Sequence, residues 1–186
     1  MAKMILLGLA AITLSACSGG GSGGGAAAET PPAVSAPYSN DPSTMPGAIA
    51  QAEKAGVIPV LDVGTSIAGT DADDNGVRDD IDAYINALSD TPAQKAALRQ
   101  KSAALNAAMV VDVTDSIALA AAAAKIRNAA SCTVSRFSGG IANAHSDEIK
   151  KYTINTPQRF DAWMKFNQAM SGSVTQMPKP GVGCAQ

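Results

Sequence analysis

The chain is poor in aromatic residues, charged residues and histidine. Aromatic residues make up 4% and charged residues 16% of its 186 residues, and His145 is the single histidine. Broad sheets draw on β-branched and aromatic side chains, so the small side chains of this chain favour closely packed helices. One histidine excludes a multi-histidine zinc site. We expect a mainly α fold, a small helical bundle in one globular domain.

Positive charge is not in excess either. The chain has 14 lysines and arginines against 16 acidic residues, for a formal net charge of -2. Proteins that bind nucleic acid carry a stripe or patch of basic side chains, which neutralise phosphates. The composition therefore predicts no nucleic-acid partner.

The first sixteen residues are typical of an export signal. Lys3 precedes an apolar run over residues 4–12 that is too short to span a bilayer, and small residues follow it. Leu14-Ser15-Ala16-Cys17 resembles the bacterial lipobox. The resemblance implies that Cys17 is acylated and becomes the new N-terminus, so that residues 1–16 are a signal peptide. The alternative is an ordinary signal peptide whose cleavage site falls beside a cysteine.

Acylation would set the location of the protein. Each buried methylene contributes about 0.8 kcal/mol, so a multiply acylated Cys17 would hold the chain in a membrane. Ser18 follows, and the lipoprotein resemblance then implies the bacterial outer membrane, facing the periplasm or the cell surface. Residues 17–46 are rich in glycine, serine and proline and predict a disordered tether. The helical domain is expected over residues 47–186.

An acidic stretch at residues 71–82 holds six of the sixteen acidic residues. Oxygen-bearing side chains stand at its first, third, fifth, ninth and twelfth places, and Gly76 stands at the sixth, which is the spacing that wraps a calcium ion. The stretch resembles the EF-hand loop and the thrombospondin type 3-like repeats. The expected ligands are Asp71, Asp73, Asn75, the Val77 carbonyl, Asp79 and Asp82. The alternative is a solvated acidic turn that caps the next helix.

Two positions depart from the EF-hand pattern. Asp82 stands where a glutamate usually supplies two oxygens, and Arg78 stands where paired loops carry an aliphatic residue. The chain has no second loop of this kind. These departures favour a single loop that holds a structural Ca²⁺ ion at the millimolar concentrations found outside cells.

Further helices are predicted from their start signals, Thr91-Pro92 and Thr156-Pro157. The apolar residues after the second signal recur at helical spacing, and they are candidates for the core or for a partner surface. They are Phe160, Trp163, Met164 and Met170. With Cys17 acylated, Cys132 and Cys184 remain in an oxidising compartment, which predicts a disulfide, with two free thiols as the alternative.

No catalytic motif stands out in the sequence. His145 is interpreted as a surface or helix-end residue, because no nucleophile can be assigned to it from the sequence. We expect a lipid-anchored envelope protein that is a non-enzymatic binding or structural module, with membrane contact through Cys17 and an unknown protein partner. The alternative is an envelope enzyme, or an enzyme accessory, that calcium stabilises.

Overall fold

Helices make up the regular structure of the chain. The computed structural model describes Ser43 and residues 45–185, and that part contains six helices and no strand. They are α1 Met45–Lys54, α2 Asp79–Ala87, α3 Pro92–Val110, α4 Ser116–Arg136, α5 Gly139–Thr153 and α6 Pro157–Ala169. The expected mainly α fold is confirmed. The predicted signal peptide, Cys17 and nearly all of the tether lie outside the described residues.

Local sequence signals set the starts of three helices. Thr91 caps α3 in a reciprocal capping box with Gln94, and the Thr156 side chain accepts a hydrogen bond from the Arg159 backbone at the start of α6. A proline follows each threonine, as predicted. Asp115 caps α4 by accepting hydrogen bonds from two backbone N–H groups. Each such cap contributes about 1 kcal/mol to helix stability.

The α3 helix is the centre of the bundle, in contact with α2, α4, α5 and α6. Its Leu98 and Leu105 are fully buried beside residues from α2 and α5. The main apolar cluster consists of Val77, Ile81, Ile85, Leu98, Leu105, Phe137, Ala142 and Ile149. Val77 belongs to the acidic stretch, so the hydrophobic core extends directly beneath the candidate site.

A second apolar cluster joins α3, α4 and α6 through three alanines and one phenylalanine. It contains Ala108, Ala122, Ala123 and Phe166. Phe160 and Met164, two of the candidates for the core or for a partner surface, have exposed fractions of 53% and 49%, so the core interpretation was wrong for these two. The buried side of α6 instead carries Arg159, Ala162 and Phe166, because a buried arginine occupies part of the face that apolar spacing assigned to the core.

The C-terminal tail is fixed to α3 and α4. A disulfide joins Cys132 on α4 to Cys184, as predicted. Gln100 on α3 donates to the Gly183 carbonyl and accepts from the Ala185 N–H. A closure of 52 residues stabilises the fold by about 4 kcal/mol on the chain-entropy model.

Within the described part of the chain, no helix is both long enough and apolar enough to cross a membrane.

Candidate cation site

The acidic loop lies between an irregular arm and α2. The arm, residues 57–70, contains bends but no helix or strand, and it leads into the loop, residues 71–78. The Asp79 N–H at the start of α2 donates to the Thr70 carbonyl at 2.9 Å. This bond brings together the two ends of the loop, so residues 71–78 form a closed turn against the main apolar cluster.

The loop reverses direction through two residues in the left-handed region. Asp74 has a φ of 53° and Gly76 a φ of +83°. A non-glycine residue at such a φ is uncommon and is best tolerated by Asp and Asn. The Asp71 carboxylate accepts hydrogen bonds from the backbone of Asn75, at 3.1 Å, and of Gly76, at 2.8 Å. The sharp turn expected at Gly76 is therefore present, and Asp71 fixes it from inside.

Three of the predicted ligands come together. Asp71, Asp73 and Asp79 each present a carboxylate oxygen, and these three oxygens lie within 4.8 Å of one another. Asp71 is half-buried, whereas Asp73 and Asp79 are exposed. Unit charges at this spacing repel one another, and the repulsion falls when a cation lies between them. The arrangement can therefore hold a hard cation through carboxylate oxygens.

Asn75 lies beside these carboxylates. Its Nδ2 donates to Asp73 Oδ2 at 2.9 Å, and its Oδ1 accepts from the Val77 N–H at 2.7 Å. An amide oxygen has two lone pairs, so Oδ1 retains one for a cation. The Val77 side chain is buried in the core at 2% exposure, which fixes the backbone at the seventh place of the loop.

Asp82 is placed differently from the expectation that it closes the site. It lies outside the three-carboxylate group, and its Oδ1 pairs with Arg99 Nε at 2.5 Å. Its Oδ2 accepts from Asn86 at 3.2 Å. The physical reason is that α3 brings the Arg99 guanidinium against the first turns of α2, and a bare carboxylate there gains more from this charge-assisted pair than from facing other carboxylates.

The buried, hydrogen-bonded position of the Arg78 side chain was not predicted from the sequence. The side chain is buried and donates to Asp80 through Nε, at 2.8 Å, and through Nη2, at 2.5 Å. Its Nη1 and Nη2 reach the carbonyls of Thr153 and Tyr152 at the end of α5, each at 3.2 Å. The only signal in the sequence was the presence of arginine at a place where the loop pattern has an aliphatic residue.

A second polar cluster surrounds His145 on α5. His145 Nε2 lies 3.6 Å from Asp90 Oδ2, and its Nδ1 lies 4.0 Å from Glu148 Oε2. Its ring packs on Phe137, with ring centroids 4.8 Å apart. Burial raises the pKa of Tyr84, and a hydrogen bond with Glu148 raises it further. The imidazole therefore contacts two acidic side chains and one aromatic ring.

A cavity of about 480 Å³ lies against the loop, between α3 and α4. Asn75 and Gly76 line one end, alanines of α3 line the floor, and Lys125 and Asn128 lie on the α4 side. The Oδ1 atom of Asn106, which also lines the cavity, is buried without a hydrogen-bond partner. Because that oxygen is buried, it does not present an acceptor to a ligand in the cavity.

In comparisons with known proteins, no protein-family model, no curated protein and no solved structure matches this chain.

Proposed function

We propose that residues 71–79 bind one structural Ca²⁺ ion in a helical domain, and that a lipid on Cys17 anchors this domain in the bacterial outer membrane. The calcium proposal is carried by one observation, the convergence of Asp71, Asp73 and Asp79 within 4.8 Å. The chain folds these three carboxylates around a turn at Gly76 rather than spreading them over its surface. A divalent cation would offset their mutual repulsion.

The ligands we assign are the carboxylates of Asp71, Asp73 and Asp79, with Asn75 Oδ1 and the Val77 carbonyl as further oxygens. Asp82 would join only by releasing Arg99, so it is left out of this set. Calcium is preferred over magnesium because an irregular loop with many oxygens suits the larger ion, which tolerates flexible geometry.

The proposed role of the ion is structural. The loop joins an arm without regular structure to α2, and Val77 at its end enters the main apolar cluster. An ion held there would stabilise the entry of the chain into the bundle. We propose that the domain is a non-enzymatic binding or structural module of the cell envelope, because the chemistry that the described residues concentrate is cation binding and charge pairing.

The calcium proposal is tested by thermal unfolding of the full chain in detergent micelles, in chelator and in about 2 mM Ca²⁺. A dissociation constant of about 10⁻⁴ M, within the range of extracellular modules, gives about 1.8 kcal/mol of stabilisation at that concentration. We expect the melting temperature to rise by roughly 5 °C. The double variant Asp71→Asn, Asp73→Asn should lose the rise.

The matched control changes two exposed aspartates far from the loop in sequence, Asp147→Asn and Asp161→Asn, which removes the same charge. It should keep the rise. An unchanged melting temperature in wild-type protein, or a rise that the control also loses, would refute a specific site. An equal rise with Mg²⁺ would show that the loop does not select calcium.

The anchor is tested separately, in a bacterial host that is given a palmitate analogue for labelling. The lipobox resemblance at Leu14–Cys17 predicts that the wild-type chain takes up the label and that Cys17→Ser does not. Labelling that survives the substitution would place the acyl group on another residue. The matched control is Cys132→Ser, which should still take up the label, because the Cys132 sulfur lies in a disulfide.

A further inference from the structure

Two arginines far apart in sequence meet under the acidic loop. Arg78 is the last residue of the loop and Arg159 lies on α6, and their side chains are 3% and 0% exposed. Both donate to Asn155 Oδ1, Arg78 at 3.1 Å and Arg159 at 2.8 Å. Two carboxylates, Asp80 and Asp62, face them. A buried guanidinium is tolerated only when it is paired and hydrogen-bonded, so this four-charge cluster is a built feature of the fold.

Arg159 directs most of its donors at the arm. Its Nη1 donates to the Asp62 carbonyl at 2.5 Å, its Nη2 to the Ser66 carbonyl at 3.0 Å, and its Nε to the Ile67 carbonyl at 3.2 Å. In a helix or strand these carbonyls would be bonded to the backbone. The arm has neither, so the Arg159 side chain supplies the hydrogen bonds that these three carbonyls would otherwise receive from backbone N–H groups.

Short contacts lead from the arm to the candidate ligands. The Asp62 carboxylate accepts from the Thr70 N–H at 3.3 Å, and the Thr70 carbonyl accepts from the Asp79 N–H at 2.9 Å. Thr70 directly precedes Asp71. Arg159 bonds Asp62 and other groups of the arm rather than the candidate ligands themselves. Its position therefore affects Asp71 and Asp79 indirectly, through the hydrogen bond from Thr70 to Asp62 and the one from Asp79 to Thr70.

Close packing reinforces the same contact. Gly69, at a φ of +74°, lies so near Arg78 that an added Cβ would be 2.2 Å from Arg78 Cδ. The arm can approach the buried arginine only because this residue has no side chain. The last residues of the arm are thus held from two sides, by Arg159 through their carbonyls and by Arg78 through van der Waals contact.

We infer that Arg159 is a positioning residue for the acidic loop: it fixes residues 62–70 from α6 and so sets the spacing of Asp71 and Asp79. This placement does not require a cation, because every contact that carries it is made within the protein. The consequence for calcium affinity rests on the proposed function. If that function is correct, affinity depends on a residue more than seventy positions from the loop.

The test uses Arg159→Lys in the full chain. Lysine keeps the charge, but its three N–H groups leave one nitrogen and cannot reproduce the planar fork, which meets three carbonyls from three separate nitrogens. In cation-free protein, amide hydrogen exchange at Asp62 and Thr70 should accelerate about tenfold or more, while α3 amides exchange as in wild type. The calcium dissociation constant should rise about tenfold or more, as it does when groups that hold metal ligands are changed. Arg136→Lys, at an exposed arginine ending α4, should change neither.

Wild-type exchange at Thr70 in Arg159→Lys would overturn the inference, and so would a dissociation constant within twofold of wild type. If the wild-type chain itself takes up no calcium, the proposed function fails and the cation-free exchange data alone decide the inference. Should Arg159→Lys not fold, Gly69→Ala tests the placement of the same residues while leaving both buried arginines unchanged. Its control is Gly172→Ala, with a similar φ of +78° and open space around the new Cβ.

Discussion

The acidic loop with its arm and the helical bundle are ordered by different forces. The bundle is held by leucine, isoleucine and alanine side chains that pack α3 against its neighbours. The arm over residues 57–70 has no regular structure, and the Arg159 side chain bonds its carbonyls and pairs with its Asp62 carboxylate. Apolar packing is non-directional and tolerant of substitution, whereas a buried ion cluster depends on every partner. The two regions should therefore respond differently to comparable substitutions.

The largest effect should come from removing a buried charge. Arg78→Met keeps much of the volume but leaves Asp80 without its guanidinium, and this should lower the free energy of unfolding by about 3–5 kcal/mol. Leu98→Ala, at a fully buried position of α3, should cost about 2–5 kcal/mol. Urea unfolding measures both losses.

Amide exchange then separates the two variants. Arg78→Met should release the Asp62 and Thr70 amides while the variant remains folded, because the Asp62 N–H donates to the Asp80 carboxylate that Arg78 holds. Leu98→Ala should leave these two amides protected up to global unfolding. If both variants expose the arm equally, the arm and the bundle unfold as one unit and the proposed difference between them does not exist.

Features that depend on only a few neighbouring residues could be predicted from the sequence. Thr91-Pro92 and Thr156-Pro157 start helices, and Gly76 makes the turn. Each depends on backbone geometry that adjacent residues decide. The roles of Arg78 and Arg159 could not be predicted, because the sequence does not show which arginines are buried or which distant acceptors the fold places beside them.

The same distinction explains the candidate site. The alternation of oxygen-bearing side chains predicted that Asp71, Asp73 and Asp79 lie together, and their carboxylate oxygens are within 4.8 Å of one another. The placement of Asp82 followed from Arg99 on another helix, and a pattern confined to twelve residues contains no information about that partner. The exposure of Phe160 is a similar case, since Arg159 takes the neighbouring buried position on α6.

A smaller effect should come from a local cap in the bundle. Thr91→Ala removes the side-chain oxygen that accepts from the Gln94 N–H and ends the reciprocal pair at the start of α3. The free energy of unfolding should fall by about 1 kcal/mol. Ser138→Ala is the matched control, because Ser138 precedes α5 without a side-chain capping bond. Equal losses in the two variants, measured by urea unfolding, would show that the Thr91 contact adds nothing.

The smallest effect should be the acid sensitivity of the arm. The Gly64 N–H holds the pKa of Asp62 below its ordinary value of 3.8, and the charges of Arg159 and Arg78 act in the same direction against partial burial. A carboxyl group with a lowered pKa in the folded state stabilises the protein above its unfolded pKa, and this contribution is lost as pH falls through the folded pKa. The stability gap between wild type and Asp62→Asn should therefore be constant from pH 7 to about pH 5 and close below about pH 4. Because the side chain is 24% exposed, solvent screening keeps the gap modest. A gap that persists undiminished at pH 2.5 would mean that Asp62 holds the arm through its shape and hydrogen bonds, and that its charge contributes nothing.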